Sequence, residues 1–235
     1  MILTAHQPVY LPWLGLFHKI ALADAFVFFD QVQYVPKDYI SRNSVKTNTG
    51  PTLLTVPVYT KGYLDKTIAQ MEINNESERW AEKHWKTILL NYKKAPYFNL
   101  YAGFFEDLYK KEWKLLADLN YYMLTWLLQQ LGIKIPVLKA GDYTFKGSKS
   151  DLVLDMCLTL KANTYIFGKL GEDYADVQKF KERGVTPVFQ QYNHPTYKQL
   201  YKDFIPNMSV IDLMFNEGPA SLEIIMSGNI KTVAK

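Results

Sequence analysis

Two histidines, one aspartate and a run of amide, tyrosine and cationic side chains stand at places where a plain turn would have sufficed. The stretch "TAHQPVYLPWLGLFHKI" puts His6, Gln7, Pro8 and Tyr10 between a short apolar strand and an amphipathic helix that carries His18 and Lys19. "AFVFFDQVQY" ends a buried strand in Asp30 and follows it with Gln33 and Tyr34. "YIFGKLGED" supplies Gly168 and Lys169 after a third strand, and "FQQYNHP" supplies Gln190, Tyr192 and His194 after a fourth. A histidine in such a loop suits a general base, a donor to a phosphate, or a polariser of a carbonyl. The alternative is a loop histidine that caps a backbone group. His194 stands before Pro195 in a setting like that of His6. His18 reads as an exposed helical position and His84, in "WAEKHWKTI", as a packing or surface histidine. Asp30 closes a buried strand, where a carboxylate needs a partner.

Arg42, Asn43 and Lys46 occur together in "SRNSVKTNTG". Arginine offers a planar fork to phosphate or carboxylate, and asparagine can read an amide or a sugar hydroxyl; a solvated loop is the other reading. "FGKLGED" matches neither the P-loop nor GxGxxG. Its backbone N–H groups could cradle an anion, or its two glycines only make a turn. HExxH, GxSxG and zinc-deaminase signatures are missing. A His6–Asp30–His194 metal site is imaginable only from scattered single residues, so no metal is expected. Cys157, the only cysteine, sits in the apolar run "DLVLDMCLTL" and reads as a buried, inert thiol.

The elements that must position these residues alternate. Ile2–Ala5 is strand-like, Pro12 suits the first turn of a helix, and Trp13, Leu16, Phe17 and Ile20 recur at helical spacing before the strand "AFVFFD". This opening βαβ unit implies a parallel pair. After Gly132, "IPVLKA", "TYIFG" and "TPVFQQY" read as strands, with helices over Ser150–Leu160, Asp176–Arg183, Ser209–Phe215 and Pro219–Ser227. Between the two parts, residues 31–75 hold short β-like segments broken by Pro36, Gly50, Pro57 and Gly62. Residues 77–131 read as about three aromatic-rich helices, with a cap at Ser77–Glu78 and breaks at Pro96 and near Lys111. The expectation is one α/β domain over residues 1–235. It has a mainly parallel, Rossmann-like sheet, a small antiparallel β extension and an inserted helical subdomain. Such sheets bind ligands beyond the carboxyl ends of their strands, where His6, Asp30, Gly168 and Gln190 all fall.

Composition bounds the partners. The 235 residues carry a net charge of +4, with lysines spread along the chain rather than in a block. That suits anionic ligands without calling for nucleic acid. The N-terminus lacks a basic segment before its apolar residues, and no stretch of about 18 apolar residues occurs. No membrane span is expected, and a cytoplasmic location is the default.

On "HQPVYLPWLGLFHKI", "ADAFVFFDQVQY", "SRNSVKTNTGPTLLTVPV" and "FQQYNHPTYKQ", the chain resembles the WbqC-like protein family from its first residues to about Gly218. The family pattern falls on His6, Gln7, Pro8, Tyr10, Pro12, Lys19, Asp24, Asp30, Gln33, Tyr34, Arg42, Asn43, Lys46, His194 and Pro195. The sequence departs from it at Gln31 and in the "YIFGKLGED" loop. The resemblance implies surface-polysaccharide and O-antigen biosynthesis: a transferase that joins an acyl or aminoacyl group, for example glycyl, to the amine of a nucleotide-linked amino sugar. A donor made from ATP would bring magnesium and an aminoacyl adenylate, whereas a carrier-bound or coenzyme A-bound donor would not. Under this reading His6, Asp30 and His194 are the catalytic candidates. Gln7, Tyr10, Lys19, Gln33, Tyr34, Arg42, Asn43, Lys46, Gly168, Lys169, Gln190 and Tyr192 are the candidates for binding substrate. Nucleotidyl transfer, a single-stranded nucleic-acid binder and a protein-interaction module are the competing readings.

Overall fold

A computed structural model describes residues 1–77 and 79–233. Five parallel strands form the central sheet: β1 (Ile2–His6), β2 (Ala25–Phe28), β5 (Val137–Lys139), β6 (Thr164–Phe167) and β7 (Thr186–Phe189). Their order is β5-β2-β1-β6-β7. The chain winds outward from β1 to β2 and β5, then returns to β6 on the other side of β1 and continues to β7. All four pairings are parallel, so the α/β, Rossmann-like expectation is met.

The period of two along the strands splits the core between the two faces of the sheet. Phe26 and Phe28 of β2 pack into a large cluster with α1 (Leu14–Ala21), while Ala25 and Val27 point into a second cluster. Leu3 and Ala5 of β1 join that second cluster, which α5 (Lys149–Thr159) and α6 (Val177–Glu182) cover through Leu154, Cys157 and Phe180. Cys157 is fully buried, and burial pushes its thiol up to about 12.

The extension contains an antiparallel hairpin, β3 (Arg42–Thr47) and β4 (Gly50–Thr55). The segments "QVQYV" and "TIAQMEI" are not strands. They contribute isolated bridges, Gln33 to Thr67, Val58 to Ile73 and Glu72 to Leu115, and Ile68–Gln70 turns as a 3₁₀ helix. Three helices follow: α2 (Trp80–Tyr92), α3 (Phe98–Lys110) and α4 (Leu116–Gln130). Their breaks lie at Pro96 and beyond Lys111, as the sequence indicates. Ser77 does not cap α2. The residue at the N-cap is Arg79, in the left-handed region, and Glu78 lies outside the described residues. Pro12 stands just ahead of α1, whose N-cap is Trp13.

These helices share their core with the sheet. Tyr92, Phe98, Tyr101 and Phe105 surround Phe215 of α7 (Val210–Glu217), at ring separations of 5.1 to 6.5 Å. Ser209 caps α7 by accepting the N–H of Ile211, and a last helix, α8 (Ser221–Met226), packs against α1. Among the described residues no helix is long and apolar enough to cross a membrane.

Candidate active site at the sheet reversal

The sheet reverses direction of winding between β1 and β6, and an open parallel sheet offers its ligand crevice at such a reversal. The register that pairs Ile2 with Thr164 and Leu3 with Tyr165 runs on to bring His6 level with Gly168. His6, Gln7, Gly168 and Lys169 therefore meet at one mouth.

His6 is half-buried. Its Nδ1 lies 2.8 Å from the Gln7 carbonyl, and a carbonyl can only accept, so Nδ1 carries the proton and Nε2 presents a lone pair. Nε2 has no partner among the described residues. Burial and then the Lys19 ammonium push the imidazole down to about 3, so the ring is neutral at pH 7. Trp13 meets the ring edge-on at 5.3 Å, and Tyr39 lies 5.7 Å beyond Trp13. An aromatic wall thus flanks the imidazole. The Gln7 amide is half-exposed and unbonded among the described residues.

Lys19 comes up from α1. It is 4% exposed, its Nζ donates to the Ala5 carbonyl at 3.0 Å, and burial draws the ammonium down to about 8. Among the described residues no carboxylate is ion-paired with it.

The loop after His6 is pinned at four successive residues. Tyr10 donates its N–H to Tyr39 O at 3.0 Å, and the Leu11 carbonyl accepts from Asn43 Nδ2 at 2.6 Å. The Pro12 carbonyl accepts from Val210 N at 2.8 Å, and Trp13 bridges Ser209. Leu11 is held in the left-handed region at φ +46°, a conformation a leucine avoids without such restraint. The Tyr10 ring is fully buried. Its hydroxyl bonds to the Tyr109 hydroxyl and, at 2.8 Å, to His84 Nδ1. His84, which also bonds the Thr55 carbonyl, is held down to about 4 chiefly by burial. Asn43 and Tyr10 therefore hold the loop from inside the core.

The remaining candidates lie elsewhere. Asp30 follows β2, accepts from the Gln31 amide at 3.0 Å, and is raised by burial while Lys139 at the end of β5 opposes the rise. A cleft of about 200 Å³, lined in part by Phe29, Gln31, Ala140 and Tyr143, lies on that side of the sheet rather than at His6. Gln33 is exposed; Tyr34 is core, with its hydroxyl 3.2 Å from Ser41 Oγ. Arg42 bonds the Lys37 carbonyl.

Lys46 is 2% exposed and spends its ammonium on Gln199 Oε1 at 3.0 Å, Asp203 O at 2.6 Å and Lys202 O at 3.4 Å. Beside it the buried Asp212 of α7 accepts from the Tyr92 and Tyr197 hydroxyls and from Gln199 Nε2, each at 2.8 Å. A carboxylate inside the apolar run "VIDLMF" is the sequence signal for this network.

After β7, Gln190 Nε2 bonds Gly15 O and His18 Nδ1, both at 2.8 Å. His18 is fully buried rather than exposed, because Ile230 O covers its Nε2 at 3.0 Å. Tyr192 packs on His18, with its hydroxyl buried and unpaired. His194 has both ring nitrogens engaged: Nδ1 donates to Pro195 O at 2.8 Å and Nε2 accepts Asn207 N–H at 3.2 Å. Of the three histidine and aspartate candidates, only His6 combines the reversal point with an uncommitted ring nitrogen. Among the described residues no three His, Cys, Asp or Glu side chains gather as a metal-ligand set.

A model of the WbqC-like protein family matches residues 7–224. The chain is 32% identical over 214 residues to the uncharacterized protein Rv1507c of Mycobacterium tuberculosis, covering 90% of this chain and 92% of that protein. No solved structure matches the chain.

Proposed function

This chain belongs to the WbqC-like protein family, and from that premise we propose that it is a transferase of surface-polysaccharide synthesis. It joins an acyl or aminoacyl group, such as glycyl, to the amine of a nucleotide-linked amino sugar. The observation that carries the reading is His6, a neutral imidazole at the sheet reversal whose Nε2 has no partner among the described residues and which lies near a buried ammonium.

The reaction asks for three things. The sugar amine must be deprotonated and oriented, its nitrogen must attack the acyl carbonyl carbon, and the oxygen that becomes negative must be stabilised. In the Nδ1–H tautomer, Nε2 accepts an amine N–H and aligns the nitrogen lone pair for attack. As the C–N bond forms, the proton passes to Nε2. The carbonyl oxygen takes the charge, where the Gln7 amide is the nearby donor. Collapse expels the leaving group of the donor. The Lys19 charge makes the imidazolium costly, so proton acceptance improves once a substrate anion offsets it. Trp13 and Tyr39 give an apolar face against which a sugar or base can lie.

The test is mass spectrometry of nucleotide-linked amino sugars incubated with the protein and either acetyl-coenzyme A or glycine, ATP and magnesium. An N-acylated sugar nucleotide that disappears with His6→Asn supports the reading. Incorporation of a nucleotide into a sugar phosphate with release of pyrophosphate would replace it by nucleotidyl transfer. A thermal shift with a single-stranded oligonucleotide alone would remove the enzyme reading altogether.

A further inference from the structure

Two lysines of this chain are buried to the same degree and treated in opposite ways. Lys46, 2% exposed, directs its ammonium at three acceptors and has the Asp212 carboxylate nearby. Lys19, 4% exposed, has one acceptor, the Ala5 carbonyl at 3.0 Å, and no ion-paired carboxylate among the described residues. A buried charge is expensive unless paired and fully hydrogen-bonded. Three protein acceptors hold the Lys46 ammonium, and one, with no ion-paired carboxylate among the described residues, holds that of Lys19.

Lys19 meets β1 at Ala5, beside the reversal of the sheet. The Gln7 amide is unbonded among the described residues, and Lys169 is exposed in the turn that follows β6, the strand next to β1. Half-exposed His6, Gln7 and Trp13 mark where this part of the crevice meets solvent.

We infer that Lys19, with Gln7 and Lys169, forms the subsite for the diphosphate of the substrate, whose oxygens complete the Lys19 shell. A diphosphate supplies several acceptors and more than one negative charge, matching two cations and an amide donor better than a single carboxylate does. This deepens the reading above and rests on its placement of substrate at the β1–β6 crevice.

Pyrophosphate is the probe, with acetate and inorganic phosphate at equal ionic strength as the other arms. Calorimetric titration and thermal shift are read on the full chain. Pyrophosphate stabilises the wild type, and acetate does not. Lys19→Met is at least as stable as the wild type in anion-free buffer, because a buried lone charge has gone, yet it binds pyrophosphate roughly tenfold to hundredfold more weakly. Lys169→Ala weakens binding and leaves the melting temperature in place. Lys19→Met with a lower melting temperature and unchanged pyrophosphate affinity would overturn the inference and make Lys19 a structural tie to Ala5. Should Lys19→Met fail to fold, the side-chain NMR resonance of Lys19 in the wild type decides: it moves with pyrophosphate, or the subsite is wrong. Pyrophosphate binding through Lys19 without acyl transfer would end the functional reading alone. Acyl transfer with an indifferent Lys19 would end this inference alone.

Discussion

Asn43 and Leu11 are 32 residues apart in sequence and joined by a 2.6 Å hydrogen bond from the Asn43 amide to the Leu11 carbonyl. That bond fastens the β3–β4 hairpin to the loop that begins at His6. Asn43→Ala strands a buried carbonyl in a left-handed residue and is expected to cost about 1–3 kcal/mol. Urea unfolding measures it. An unchanged midpoint would show that the loop is held by its other ties alone.

His6 should stay neutral well below the ordinary histidine range. Its folded value of about 3 lies under the unfolded 6.5, so the unfolded chain binds more protons between those values. The His6 contribution to stability is therefore present above pH 6.5 and lost as pH falls towards 3. His84, at about 4, acts in the same direction. Asp30 and Asp212, raised by burial, act in the opposite direction as they protonate. NMR should show the His6 ring unchanged down to pH 5. A midpoint near 6.5 would mean that the ring is open to water.

Asp212→Ala removes the acceptor of two buried tyrosine hydroxyls and the half-buried Gln199 amide and is expected to cost about 3–5 kcal/mol. Asp212→Asn should cost less, since it keeps one acceptor oxygen. Chemical denaturation of both variants checks the order, and equal stability of Asp212→Ala and wild type would sink the account of this network.

Gly171 follows Lys169 in a tight turn. A Cβ there would stand 2.5 Å from Phe167 Cβ and 2.8 Å from its ring, contacts that backbone movement must relieve. Gly171→Ala should destabilise by about 1–3 kcal/mol and displace Lys169, weakening pyrophosphate binding. Normal melting and normal binding together would contradict this.

The parallel sheet was readable because each strand is apolar, short and followed by a helical period. The break between α2 and α3 was readable because Pro96 interrupts the helical pattern. Side-chain direction in irregular segments was not. Tyr10 and Tyr34 stand in polar company in sequence, yet both rings turn into the core, where His84, Tyr109 and Ser41 await their hydroxyls. Lys46 looks like a phosphate ligand until its partners, over 150 residues away, are known. His18 looks solvent-facing because nothing local shows that Ile230 will cover it. Long-range partners decide these cases, and a local pattern does not encode them. Trp13 and Tyr39 meet beside His6 only through the fold, for the same reason.

The two outer strands of the sheet carry a further consequence. β5 has only three residues and follows Pro136, and β7 contains Pro187, which has no N–H to offer a neighbour. Short or proline-bearing borders give another chain almost no ladder to extend. Copies of this protein that meet in a crowded solution will find the rims of the central sheet poor places to add a strand.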